Sequence, residues 1–222
     1  MPVIQPIVEG PGDVTAVPVL LRRILHEHLH LTRWQVANPI NAQGCGNLLR
    51  PGGVERFVQR AQMEPGCTAI LVLIDGDAAN NLPSAQRPAN TCPPGFADWL
   101  AQRIRRVNPR LPVVIVIARW EYEAWFLASI EAIAAHRRGG MPGLSPSARY
   151  EGDPENYPDP KAWINARLSR GYRYTETRDQ VNMTRWIDLQ ITQQRARSFR
   201  RLVHAVQQIV SMPQNGQSVV TP

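Results

Sequence analysis

Two carboxylates close an apolar run of the 222-residue chain: Ala69-Ile70-Leu71-Val72-Leu73-Ile74 passes without a polar residue into Asp75-Gly76-Asp77. Acids one residue apart can turn to the same side once the backbone leaves a sheet, and the glycine between them permits a sharp bend and close approach by a ligand. Held together, they raise each other's pKa unless a cation lies between them. A hard, oxygen-seeking divalent ion, Mg2+ or Mn2+, is the occupant such a pair asks for. The plainer reading makes Asp75 a cap and Asp77 a solvated turn residue. Two more sets of acids follow apolar runs. Glu9 opens the string Glu9-Gly10-Pro11-Gly12-Asp13, and Glu121 and Glu123 come after Pro112-Val113-Val114-Ile115-Val116-Ile117-Ala118.

The elements needed to position these acids follow from periodicity. Apolar runs of about six residues, rich in β-branched types, fit strands covered on both faces, as in a parallel sheet. Val17, Leu20, Leu21, Ile24 and Leu25 repeat as an amphipathic helix; Pro18 must fall in its first turn, which sets the start near Val14 or Thr15. Val54, Phe57, Val58 and Ala61 mark a second helix, and residues 96–107 a third that turns Arg103, Arg105 and Arg106 toward water. Pro6 marks its strand as an edge or a broken one, and residues 34–40 read as another strand. Right-handed crossovers then bring the acid-bearing strand ends to one edge of the sheet. Residues 78–94 form a polar, proline-bearing loop long enough to cover that edge. Asn41 to Asn47 lacks a phosphate-loop pattern and reads as a turn. His26-Glu27-His28-Leu29-His30 matches the zinc-peptidase pattern, but helical spacing puts His26 and His30 opposite the apolar stripe, facing solvent.

The expected fold is α/β, a mainly parallel sheet flanked by helices with a C-terminal helical extension. Its expected divisions are a core over 1–135, a Gly/Pro-rich linker over 136–160, a basic helical extension over 161–212 and a flexible tail over 213–222. With 25 Lys and Arg against 18 Asp and Glu, the net charge is +7. Every basic residue except Lys161 is an arginine, the side chain suited to bidentate phosphate contact. Arg119 at a strand end, with Arg173, Arg178, Arg197 and Arg200 near Tyr172 and Tyr174, are the candidate nucleic-acid contacts; a solvated helical face is the competing reading. Cys45, Cys67 and Cys92 have neither disulfide nor zinc-ligand spacing, and no apolar stretch approaches the ~20 residues that span a bilayer. A soluble cytoplasmic protein is expected, with no membrane partner.

A strand ending in Glu-Gly with a helix behind it, and a later strand ending in Asp-x-Asp, resembles the TOPRIM domain of topoisomerases, bacterial primases and OLD-type nucleases. Glu9-Gly10 and Asp75-Gly76-Asp77 carry the likeness, which covers roughly residues 1–130. The strings Val8 to Asp13, Arg119 to Leu127 and Arg197 to Leu202 are similar to an uncharacterised bacterial family of TOPRIM-like proteins associated with ABC-like ATPases and phage defence. The resemblance implies Glu9 as metal ligand or general acid/base, Asp75 and Asp77 as Mg2+ ligands, Glu123 as an additional catalytic acid and an ATPase partner, with a homodimer left open. Lacking the tyrosine-bearing domains of a topoisomerase and the extra modules of a primase, the chain fits phosphodiester cleavage of DNA or RNA better. The alternatives are a non-catalytic nucleic-acid-binding or regulatory subunit and a small-molecule phosphohydrolase, though in the latter the acidic pair normally follows the first strand.

Overall fold

The structure, a computed structural model, describes residues 1–83, 87–88, 91–136 and 141–212, with the backbone of 220–221. In chain order the elements are β1 (Val3–Val8), α1 (Pro11–Arg23), β2 (Gln35–Val36), β3 (Ile40–Asn41), α2 (Cys45–Leu49), α3 (Gly53–Ala61), β4 (Cys67–Asp75), α4 (Pro93–Arg105) and β5 (Val113–Ala118). There follow α5 (Ala124–Ala128), α6 (Ile130–Ala135), α7 (Pro160–Asn165), α8 (Val181–Trp186), α9 (Leu189–Arg195), α10 (Arg197–Ser211) and β6 (Val220–Thr221). The strands form one sheet in the order β2-β1-β4-β5-β6, with β3 also on β1, and all these pairings are parallel. The fold is α/β, with helices on both faces.

Alternation along the strands sorts the side chains onto those faces. Ile4, Leu71, Leu73, Val114 and Val116 face a core shared with Val17, Leu20 and Leu21 of α1 and Phe199, Leu202 and Val206 of α10. Ile7, Ile70, Val72, Ile115 and Ile117 face Val54, Phe57 and Val58 of α3 and Phe96, Leu100 and Ile104 of α4. Fully burying a side chain of this size stabilises by roughly 1.5–3 kcal/mol, so α10, with Phe199, Leu202, Val206 and Ile209 all at 0–1% exposure, holds the sheet as firmly as α1 does. The C-terminal third is therefore part of one core rather than an appendage.

Several local expectations are corrected. β1 is an interior strand despite Pro6. The carbonyls of Pro2, Ile4 and Val8 accept from the β2/β3 flank, so the missing N–H of Pro6 falls in the gap between those two short strands, where the Gln5 amide donates to Pro6 O and Asn38 O. The strand expected over 34–40 is accordingly split in two. α1 begins at Pro11, which leaves Pro18 inside the helix. Residues 24–28 form a π-turn where an α-helix was expected, His30 adopts φ 56° and Glu27 pairs with Arg23, yet His26 and His30 are exposed as their spacing implied. Arg103 is buried rather than wet, because both oxygens of Glu55 and the carbonyls of Leu49 and Arg50 take up its donors. Part of the predicted covering loop (84–86, 89–90), part of the linker (137–140) and most of the tail (213–219, 222) lie outside the described residues. Val220 and Thr221 align with Val113 and Val114 as a strand, where a flexible tail was expected.

Candidate active site

Register decides which acids meet. Ile7 pairs with Val72, so Glu9 comes level with Ile74, and Asp75 pairs with Ala118. The carboxyl ends of β1, β4 and β5 thus finish together, as the sequence led us to expect. Gly76 is required there: a Cβ would stand 2.7 Å from Ala118 O and 3.0 Å from Trp120 N. With that side chain absent, the Asp77 amide donates to Trp120 O at 3.1 Å and the Tyr122 amide donates to Asp75 Oδ1 at 2.9 Å. The chain after β5 is pinned to the chain after β4.

The electrostatics of this edge are those of crowded acids. Burial, then Asp13 and Asp77, raise Glu9 from 4.5 to about 7, against smaller opposing contributions from the Asp75 backbone and the Cys45 thiol. Burial, then Asp13, Glu123 and Glu9, push Asp75 well above the usual carboxylate range. Burial also raises Asp77 and Asp13. Glu9 Oε2 and Glu121 Oε2 are buried with no hydrogen-bond partner. Among the described residues no ion pair reaches Glu9, Asp13, Asp75 or Asp77.

The one cation at this edge that the acids share is Lys161, the only lysine in the chain. Its ammonium lies 2.6 Å from Glu176 Oε1, 3.1 Å from Glu121 Oε1 and 3.8 Å from Glu123 Oε2. Glu123 itself is buried; it accepts from the Tyr174 hydroxyl at 2.7 Å and is raised by burial from 4.5 to about 8 even though Lys161 pulls it down. Lys161 enters because Asp159 caps α7 by accepting from Ala162 N, with Pro160 in the first turn. Glu176 and Gln180 come from a turn packed on the N-terminus of α1, where the Gln180 amide donates to Asp13 Oδ1 at 2.8 Å. Gly12 makes that packing feasible, since a Cβ would meet Gln180 Oε1 at 2.1 Å.

The sequence-derived set therefore divides. Glu9, Asp75 and Asp77 share the edge, each partly open to solvent. Glu123 joins them electrostatically but is sealed beneath Tyr174 and Lys161. Asp13, Lys161, Tyr174, Glu176 and Gln180 were not assigned to the site. Of the arginines, Arg119 and Arg197 border one cavity. Arg119 lies 4.6 Å over the Trp120 ring, and Arg197 and Arg200 are exposed on α10. Arg178 and Arg173 are both exposed, but Arg178 is committed to structure: it binds both oxygens of the fully buried Asp179 and the Arg173 carbonyl.

Among the described residues no group of three or more His, Cys, Asp and Glu side chains is disposed to hold a metal ion. The donor chemistry nevertheless suits a hard cation: every candidate donor is a carboxylate oxygen, Glu9 Oε2 is orphaned, and among the described residues no ion pair reaches Glu9, Asp75 or Asp77.

Fold and edge together define a parallel α/β protein that gathers carboxylates from three strand ends. The chain belongs to the family described as a domain of unknown function, DUF4276, whose profile matches residues 8–207. No curated protein and no solved structure matches it. No helix among the described residues is long and apolar enough to cross a membrane.

Proposed function

We propose that the protein is a Mg2+- or Mn2+-dependent nuclease of TOPRIM type, hydrolysing phosphodiesters of DNA or RNA, and that it works with an ATPase partner in defence against phage. The observation that carries this reading is the convergence of Glu9 with Asp75 and Asp77: Asp77 raises the Glu9 pKa, Glu9 raises that of Asp75, and among the described residues no arginine pairs with any of the three. Glu9, Asp75 and Asp77 would hold the ion. Bound there, it would act as a Lewis acid on the scissile phosphate and lower the pKa of a water. The chain's own residues do the rest. Glu9, raised to about 7 in the metal-free protein, must release its proton to serve as a ligand, which ties ion binding to pH. The Tyr122 amide fixes Asp75. Lys161 neutralises Glu121 and Glu176 and holds the C-terminal segment over the site, while Arg119 stands where it can draw a phosphate toward Asp77.

Purified protein incubated with plasmid, single-stranded DNA and tRNA should cleave at least one with Mn2+ or Mg2+ and none in EDTA. Asp75→Asn and Asp77→Asn should abolish cleavage with the fold intact; full activity in these variants refutes the assignment. The absence of a ready-made three-ligand group and the presence of Lys161 favour a second reading, a non-catalytic nucleic-acid-binding subunit of an ATPase complex. Nucleic-acid binding without turnover, even with the ATPase added, would select it.

A further inference from the structure

A cavity of about 510 Å³ opens beside the acid edge, between the start of α4 and the start of α10. Its floor is the flank of β5: β6 covers only Val113 and Val114, and Ile115 and Ile117 beyond them line the cavity with Ala97 and Pro93. Its walls carry the guanidinium groups of Arg119, Arg197 and Arg201. The N-terminus of α10 is already filled, because Glu155 accepts from Arg197 N at 2.9 Å and Ser198 N at 2.7 Å. Anion recognition is therefore left to the arginines. Asp153 and Glu155 line the cavity too, and Arg119 Nε donates to the Glu155 carbonyl at 3.4 Å, so a phosphate is met only by the guanidinium nitrogens that this bond leaves over. Arg119, Cys92 and Pro93 also border a smaller hollow formed with Asn80, Trp120 and Gly76, the residue between Asp75 and Asp77. Trp120 sits in the left-handed region at φ 61°, and its indole N–H is buried without a partner. Strained residues of this kind persist where surrounding structure holds them and often mark a working site.

An apolar floor of nucleotide size with guanidinium groups in its wall, beside a hollow where Trp120 lies under the Arg119 guanidinium, offers what an unstacked base and its phosphate need. We propose that this cavity receives one unstacked nucleotide of a single-stranded nucleic acid and that the adjoining hollow passes the strand on to Asp77. The inference rests on the nuclease reading for its choice of ligand, yet it concerns binding and is testable without turnover. A paired base cannot enter without losing its partner and its stacking, so the cavity selects against duplex.

The test is fluorescence anisotropy in EDTA, using a short labelled oligonucleotide as single strand and as duplex. The proteins are wild type, Ala97→Phe, which fills the cavity, and Arg197→Glu, an exposed change that spares the core should Ala97→Phe fold poorly. Single strand should bind about ten-fold or more tighter than duplex, and each variant should erase most of that preference. Adenosine monophosphate should displace the strand only at far higher concentration. Equal binding of strand and duplex, undiminished preference in Arg197→Glu, or tight mononucleotide binding without strand binding each overturns the proposal. Mn2+-dependent cleavage without strand preference would remove the pocket and keep the nuclease; strand preference in a protein that never cleaves would do the reverse.

Discussion

Replacing Glu9 with Gln should make the protein more stable at alkaline pH while destroying the site. Burial, Asp13 and Asp77 move the Glu9 pKa from 4.5 to about 7. Below about pH 4.5 folded and unfolded chains both carry the proton, and the substitution is silent. Between about 4.5 and 7 the folded chain keeps a proton that the unfolded chain releases, so wild-type stability falls as pH rises. Above about 7 the penalty is complete. At 1.36 kcal/mol per pKa unit, it amounts to about 3 kcal/mol. A neutral amide of the same shape avoids this penalty, and at about 2–4 °C per kcal/mol for a chain of this size the melting temperature should rise by about 6–12 °C. The assay is thermal unfolding followed by circular dichroism in EDTA, wild type against Glu9→Gln, from about pH 5 to 8.5. Asp13, Asp75 and Glu123 push wild type in the same direction, so the informative quantity is the difference between the two proteins: about a quarter of its full value at about pH 5 and full at the alkaline end. If both proteins melt together at about pH 8.5, Glu9 does not face a crowd of acids and the reasoning fails.

Three further outcomes are expected. Lys161→Met strips the cation from Glu121, Glu123 and Glu176; urea unfolding at about pH 8 should show a loss of about 2–4 kcal/mol, shrinking toward pH 5 as Glu121 and Glu123, both raised by burial, take up protons. Gly12→Ala drives a methyl into Gln180 and Glu176, so it should cost about 1–3 kcal/mol in the same assay and, by displacing that turn, expose its amides to hydrogen exchange. Phe199→Ala removes a fully buried ring packed edge-on against Trp125 at 5.4 Å and should cost about 3–5 kcal/mol.

What the sequence made legible is what short-range pattern encodes. The apolar runs gave the three long strands, parallel connection gave them a common edge, and the acids standing just after them were brought together on that edge. Pro6 misled because its tolerance depends on a partner strand interrupted by residues 37–39, which no local pattern announces. Pro18 misled in the same way, shifting the expected start of α1 past Pro11 and leaving Asp13 in a loop, although the Asp13 carboxylate accepts from Gly10 N in the helix's first turn. The largest omission was Lys161, with Tyr174, Glu176 and Gln180. They reach the acids through a segment without hydrophobic period, so their placement depends on tertiary contacts such as the close approach at Gly12. One signal was available: a single lysine in a chain that otherwise uses arginine. A compact ammonium, unlike a guanidinium fork, can serve three carboxylates from one point.

The central claim is that the ends of β1 and β4 form one acidic nook short of positive charge. Titrating Mn2+ into the metal-free protein by calorimetry, with electron paramagnetic resonance reporting the bound fraction, tests it most directly. The account predicts saturable binding that strengthens as pH rises through about 7, where Glu9 ionises, and that Asp77→Asn abolishes while keeping the wild-type circular dichroism spectrum. Absence of saturable binding in the wild type, or equal binding in Asp77→Asn, would contradict it.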